Sequence, residues 1–282
     1  MADREQGFET KAIHAGWEAD PATGARQVPI YQSTAFQFRD ADHAAKLFNL
    51  EEVGYIYSRL TNPTVSALAD RVTALEGGMG GFCCSSGHAA QLMALFPLMM
   101  PGNNIVASTR LYGGTVTQFS RTIKRFGWDC TFVDTDDLDA VRDACDDNTR
   151  AIFCESIANP GGYITDIRAL ADIADEVGVP LIVDNTSATP YLCRPIEHGA
   201  TLVVNSLTKY LTGNGTITGG CVVDSGKFDW GASDKFPSLA SPEPAYHGLN
   251  FYEALGGMAL TFHSIAVGLR DLGMTLNPQA EH

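Results

Sequence analysis

Cationic side chains are scarce in this chain. Its 282 residues carry 19 lysines and arginines against 33 aspartates and glutamates, a formal net charge of −14. Such a balance excludes the broad basic surface that binds nucleic acid. Long apolar runs are also missing. The most apolar stretch, Leu92 to Met100, is too short to span a bilayer and contains Pro97, so no membrane association is expected. Met1 to Glu9 is charged and polar, unlike a secretory leader. The seven cysteines are odd in number, and none are paired at C-x-x-C spacing. Several lie in apolar runs, as Cys154 does after Ala151-Ile152-Phe153. They read as buried free thiols, which suits a reducing, cytoplasmic compartment. No two of the seven histidines stand at H-x-x-x-H spacing, so no metal site is expected. Nucleotide and hydrolase signatures are absent as well. Gly213-x-Gly215 is followed by Gly219, one place late for G-x-G-x-x-G, and there is no Walker loop or G-x-S-x-G elbow.

What is present is an alternation of short apolar strands with amphipathic helices. Residues 1–60 read as an irregular arm, mixing glycine, proline and scattered aromatics, with one short helix over Ala41 to Phe48. Such an arm either wraps its own domain or reaches a neighbouring subunit. Regular order begins at Asn62-Pro63, an N-cap followed by proline at the first helical position. Val65, Leu68, Ala69, Val72 and Leu75 share one face of that helix, and Gly77-Gly78 ends it. A second helix follows Ser85-Ser86-Gly87. Strands are then predicted at Asn104 to Ser108, Trp128 to Val133, Arg150 to Glu155, Pro180 to Asp184 and Leu202 to Asn205. Helices are predicted at Gly114 to Phe126, Leu138 to Ala144 and Asp166 to Val177, and a helical pattern returns from Ala245. This order implies βαβ units in an α/β domain, with a mostly parallel sheet flanked by helices on both faces. The expected division is an arm over 1–60, a ligand-binding large domain over 61–250, and a helical connection over 251–282.

In an open α/β sheet, ligands bind beyond the carboxyl ends of the strands. That rule selects Ser85-Ser86-Gly87, Glu155 to Asn159, Asp184-Asn185-Thr186 and Ser206-Leu207-Thr208-Lys209. Lys209, one of only six lysines, is delivered to the sheet edge by the apolar Leu202-Val203-Val204. It could be desolvated there, which favours amine chemistry, or it could be a surface lysine just past a strand. Asp184 ends Leu181-Ile182-Val183, where a carboxylate needs a cationic partner or donors. Alone, it could equally cap a turn. Ser86-Gly87-His88 opens a helix whose free N–H groups and dipole suit a phosphate, although a plain serine N-cap looks the same. Ser206 and Thr208 flank Lys209 with hydroxyls that could reach that phosphate. His88 reads as a side chain riding on useful backbone. Each feature is weak singly; their order along the chain is specific.

The residues resemble the Cys/Met-metabolism family of pyridoxal-5'-phosphate (PLP) enzymes, which includes cystathionine synthases and lyases, methionine γ-lyase and O-acetylhomoserine sulfhydrylase. The similarity rests on Tyr55-Ile56-Tyr57-Ser58-Arg59 with Asn62-Pro63-Thr64, on Ser86-Gly87, and on Leu111-Tyr112-Gly113-Gly114-Thr115. It continues through Glu155 to Pro160, Val183-Asp184-Asn185-Thr186 and Ser206-Leu207-Thr208-Lys209-Tyr210. The resemblance implies an aspartate-aminotransferase-like (fold type I) large domain. It also implies a C-terminal small domain, on the order of 100 residues, that this chain lacks and that supplies an arginine for the substrate carboxylate. Lys209 is then the Schiff-base lysine and acid/base, Asp184 the partner of the pyridinium nitrogen, and Tyr112 the residue stacked on the ring. Asn159 bonds the phenolic oxygen. Gly87 and His88, with Ser86, Thr186, Ser206 and Thr208, surround the phosphate end. Tyr57 and Arg59 reach the phosphate of a neighbouring subunit, so a homotetramer of site-sharing dimers is implied.

Within the family, Gly113-Gly114-Thr115, Ala12 to Gly16 and Pro29 to Thr34 look like the O-acetylhomoserine sulfhydrylase branch. The implied reaction takes O-acetyl-L-homoserine and sulfide to L-homocysteine and acetate. Methionine γ-lyase activity, cystathionine γ-synthase or γ-lyase activity, and a PLP-binding chain without turnover are the alternatives. Two positions depart from the family pattern. His88 stands where methionine or glutamine is usual, and Gly213-Asn214-Gly215 stands where many members have a Gly-His pair.

Overall fold

A computed structural model of the chain describes residues 6–277. Residues 1–5 and 278–282, the outer ends of the expected first and last segments, lie outside the described residues.

Seven strands form the central sheet: β1 (Gly80–Cys84), β2 (Asn104–Ser108), β3 (Asp129–Val133), β4 (Thr149–Glu155), β5 (Leu181–Asp184), β6 (Leu202–Ser206) and β7 (Gly220–Asp224). Their order is β1-β7-β6-β5-β4-β2-β3. The pairings β3·β2, β2·β4, β4·β5 and β5·β6 are parallel, and β7 runs antiparallel to both β6 and β1. Because one antiparallel strand separates them, β1 and β6 point the same way. The carboxyl ends of six strands therefore share one edge of the sheet.

Alternation along the strands divides the apolar residues between the two faces. Ile105, Ala107, Phe153, Leu202 and Val204 pack with Ala90, Met93 and Ala94 of helix α4 (Gly87–Leu95). Val106, Ile152, Cys154 and Val203 pack on the other face with Val65, Ala69 and Val72 of α3 (Pro63–Glu76) and Leu170, Ile173 and Ala174 of α7 (Ile167–Val177). The ends of these helices follow the local chemistry. Asn62 caps α3 by accepting from the Thr64 N–H (2.9 Å), Pro63 is the first helical residue, and Gly77 leaves the helix at φ +77°. Asp166 caps α7 through the Ala169 N–H (3.1 Å).

Several expectations need correction. The arm is irregular over residues 15–40 but not before them. It contains α1 (Phe8–His14) as well as α2 (Ala41–Phe48). Tertiary contact holds α1, since Arg71 of α3 donates to the carbonyl of Ala15 just past its end (2.9 Å). The arm touches its own domain elsewhere too: the Tyr31 N–H donates to Thr64 Oγ1 and Asn62 Nδ2 donates to the Tyr31 carbonyl. Strands β1 and β7 were not expected from the sequence. β1 opens on Gly80-Gly81, and α3 lies so close that a Cβ on Gly81 would sit 2.4 Å from Thr73 Oγ1. The helix expected over Gly114 to Phe126 is one helical run that changes character, from α5 (Gly113–Thr117) to a π segment and then a 3₁₀ turn. The helix α6 (Leu138–Ala144) matches expectation. The helical pattern expected from Ala245 begins only at Phe251, after the two-residue strand Leu249–Asn250; it breaks at Gly256 and runs continuously from Ala259 to Leu272. Among the described residues, no helix is long and apolar enough to cross a membrane.

Candidate active site at the sheet edge

Adjacent strands deliver three polar residues to one edge. β4 ends at Glu155, β5 at Asp184 and β6 at Ser206, and Glu155 is the register partner of Asp184. The turn after β1 brings Ser86 and α4 to the same edge, and the turn after β2 brings Tyr112. Between them lies a cleft of about 830 Å³. Ten of the twelve residues singled out from the sequence line it: Ser86, Gly87, His88, Tyr112, Asn159, Asp184, Thr186, Ser206, Thr208 and Lys209. Tyr57 and Arg59 do not. They are exposed on the arm, with the Arg59 guanidinium 5.1 Å from the Tyr57 ring centre.

One end of the cleft is built for an anion. Ser86 Oγ accepts from the Ala89 N–H (3.1 Å), which leaves the N–H groups of Gly87 and His88 without an acceptor among the described residues. Helix α4 directs its positive end there. The turn is wedged between strands: a Cβ on Gly87 would lie 2.7 Å from the Ser206 Cβ, and one on Gly220 would lie 2.1 Å from the Ser86 carbonyl oxygen. Thr186 Oγ1 accepts from the Ser206 N–H (2.7 Å) and so ties the ends of β5 and β6. The Thr208 hydroxyl exchanges hydrogen bonds with Gly219, accepting from its N–H and donating to its carbonyl.

Deeper in, Asp184 is buried at 9% exposure. Its Oδ1 accepts from the Thr186 N–H and its Oδ2 from Gln91 Nε2, both at 3.0 Å. No lysine or arginine pairs with it among the described residues. Burial pushes its carboxyl above the ordinary aspartate value, opposed by the bonds from Thr186 and Gln91 and by nearby His88. Gln91 also donates to Thr115 Oγ1 (3.0 Å), linking α4 to α5.

Beside Asp184 on the neighbouring strand, Glu155 Oε1 accepts from the Tyr112 N–H (2.6 Å) and Oε2 from the Asn159 N–H (2.9 Å). Burial, opposed by those two bonds and aided by the charge of Asp184, raises its carboxyl to about 7. The Tyr112 ring is half-exposed, and its centre is 6.0 Å from that of His88. Asn159 is exposed in the turn after β4. Lys209 is exposed too. Of the two readings the sequence left open, the exposed one holds, because the strand ends at Ser206 and the lysine stands on the open rim of the cleft.

Sequence reasoning placed Glu155 at the edge, at the head of the Glu155 to Asn159 segment, without giving it a role, and it missed Gln91 and Glu76. The last residue of α3, Glu76 is fully buried behind the edge. It accepts from Asn205 Nδ2 (2.7 Å) and Asn185 Nδ2 (3.1 Å), while Asn185 Oδ1 accepts from the Ser156 hydroxyl (2.8 Å). One carboxylate thus reaches the ends of β5 and β6 directly and β4 through Asn185. The available signal was a glutamate at the end of an otherwise apolar helical face.

The arrangement suits a flat ligand with an anionic group at the α4 end, a cationic atom at Asp184 and a carbonyl for the Lys209 amine. Comparisons with known proteins agree with it. Residues 9–281 match the family model described as Cys/Met metabolism PLP-dependent enzyme. O-acetyl-L-homoserine sulfhydrylase of Leptospira meyeri is 46% identical over 278 residues, covering 96% of this chain. That of Corynebacterium glutamicum is 50% identical over 277 residues, again 96% of this chain. The chain spans 63% of the length of each of these two relatives. A solved Campylobacter jejuni structure containing N'-pyridoxyl-lysine-5'-monophosphate superposes with a TM-score of 0.95 at 41% identity, covering 98% of this chain and 68% of the other. Cystathionine γ-lyase from Lactobacillus plantarum superposes at 0.78 with 33% identity, covering 98% of this chain and 61% of the other. The chain belongs to the Cys/Met metabolism family of PLP-dependent enzymes.

Proposed function

We propose that this protein carries out a PLP-dependent γ-replacement in which O-acetyl-L-homoserine and sulfide become L-homocysteine and acetate. The observation that carries the reading is the meeting, in one cleft, of the Lys209 amine with a buried Asp184 carboxylate that no lysine or arginine neutralises. PLP supplies what each wall asks for: an aldehyde for the amine, a protonated ring nitrogen for the carboxylate and a phosphate for the free N–H groups of α4. The similarity to sulfhydrylases along nearly the whole chain supports the choice of substrates.

The cofactor, when bound, supplies an electron sink that makes carbanions beside the substrate amine accessible. This chain's residues do the rest. Asp184 keeps the ring nitrogen protonated, and Gln91 and Thr186 hold Asp184 in place. Gly87 and His88 hold the phosphate through main-chain N–H groups, with Ser86, Thr186, Ser206 and Thr208 around them. Asn159 would bond the phenolic oxygen, and Tyr112 would lie against the ring. Lys209 would hold the aldehyde and, once freed by the substrate amine, would take the α-proton, serve as the base at the β-carbon and return both protons after sulfide has added. The C–O bond at the γ-carbon breaks with acetate leaving, and sulfide forms the C–S bond in its place.

The same reading has Tyr57 and Arg59 of a neighbouring copy closing the phosphate end, in a homotetramer of site-sharing dimers. Their exposure outside their own cleft supports this. The division into an arm over 1–60, a cofactor domain over 61–250 and a connection over 251–282 goes with it. A cytoplasmic setting is supported by the cysteines, four of which are buried and none of which forms a disulfide among the described residues. The test is to supply the full protein, with PLP, with O-acetyl-L-homoserine and sulfide. Homocysteine and acetate in equal amounts are expected. Release of 2-ketobutyrate from methionine or cystathionine without homocysteine formation would instead make it a lyase.

A further inference from the structure

Glu155 is a buried carboxylate at the site that pairs with no cation among the described residues, and its two oxygens are used separately. Oε1 accepts from the N–H of Tyr112, in the turn after β2, and Oε2 from the N–H of Asn159, in the turn after β4. These turns come from different strands and carry two residues of the cleft wall. A third contact joins them farther out, where the Arg110 guanidinium lies 4.5 Å from the Tyr163 ring centre. An acceptor-only group with two oxygens is what two converging main-chain donors require. A glutamine of the same size offers one acceptor and turns an NH₂ toward the second donor, leaving one buried N–H unmatched.

We infer that Glu155 is a positioning residue: its carboxylate clamps the Tyr112 turn to the Asn159 turn and so sets where the tyrosine ring and the asparagine amide stand in the cleft. This rests on the cleft being the cofactor site, which the proposed function already holds. Glu155 itself borders the cleft, and its two bonds act through the main chain of Tyr112 and Asn159. Its carboxyl is raised by burial with no cation to compensate, an expensive place for an acid unless it does something specific there.

The test compares the wild-type chain with Glu155→Gln by hydrogen–deuterium exchange and by PLP titration. In the variant, protection of the segment containing Tyr112 or of that containing Asn159 should fall about tenfold, the equivalent of one hydrogen bond. Segments from β5 and α3 should stay at wild-type protection, which a general loss of stability would not allow. The PLP dissociation constant should rise about tenfold. Wild-type protection of both turns with PLP affinity within about twofold overturns the inference. Should Glu155→Gln fail to fold, Glu155→Asp keeps the charge but shortens the reach, and the same local loss is expected; its absence overturns the inference equally. If the wild-type chain binds no PLP, the cofactor reading fails, while the exchange data still decide the role of Glu155.

Discussion

Replacing Glu76 by glutamine should change how stability depends on pH. Burial raises the Glu76 carboxyl from its ordinary 4.5 to about 7, and the bonds from Asn185 and Asn205 offset only part of that cost. Between those values the folded protein holds a proton that the unfolded chain has released. The stabilisation is therefore complete below 4.5 and is lost as pH rises through 7. In full the loss is roughly 3 kcal/mol, and between pH 5 and pH 8 it is about 2.5 kcal/mol. Glutamine does not titrate, and its oxygen can still accept from both asparagines. Measured against the wild type, Glu76→Gln should gain about 2.5 kcal/mol in relative stability from pH 5 to pH 8. Glu155 and Asp224 are also raised to about 7 by burial, but they are present in both proteins and cancel. The assay is urea unfolding at several pH values, followed by tryptophan fluorescence and far-ultraviolet circular dichroism. Parallel stability curves for the two proteins would refute the reasoning.

Two other substitutions probe the cleft. Asp184→Asn keeps the shape but removes the charge facing the ring nitrogen, and PLP affinity should fall by about a hundredfold or more; equilibrium titration showing unchanged affinity would count against that role. Gly220→Ala places a methyl 2.1 Å from the Ser86 carbonyl oxygen. The phosphate turn must then move, at a cost of about 1–3 kcal/mol in stability, with weaker PLP binding, and thermal unfolding at the wild-type temperature would contradict the packing described.

Much of this site was legible because parallel strands put it there. Once Leu181-Ile182-Val183 and Leu202-Val203-Val204 are recognised as buried strands, Asp184 and Lys209 must lie near one edge, whatever the rest of the chain does. Capping chemistry placed Asn62 and Ser86 correctly for the same local reason. The misses are tertiary. β1 and β7 are the pair that breaks the parallel pattern, and Gly80-Gly81 follows the packing of α3 rather than strand propensity. Glu76, Gln91 and Glu155 do their work through partners far along the chain, Gln91 with Asp184 and Glu76 with Asn205. No periodicity announces such a bond. The sequence left both a desolvated and an exposed Lys209 open, because a residue three places past a strand end is no longer held in the strand's environment.

The claim on which everything else depends is that the Lys209 amine and the Asp184 carboxylate bracket one cofactor ring. The most direct measurement is to incubate the protein with PLP, reduce with borohydride, and map the modified peptide by mass spectrometry. A single pyridoxyl adduct on Lys209, lost in Lys209→Ala and reduced in Asp184→Asn, is expected. Adducts spread over the other five lysines, or labelling that ignores the Asp184 substitution, would contradict it.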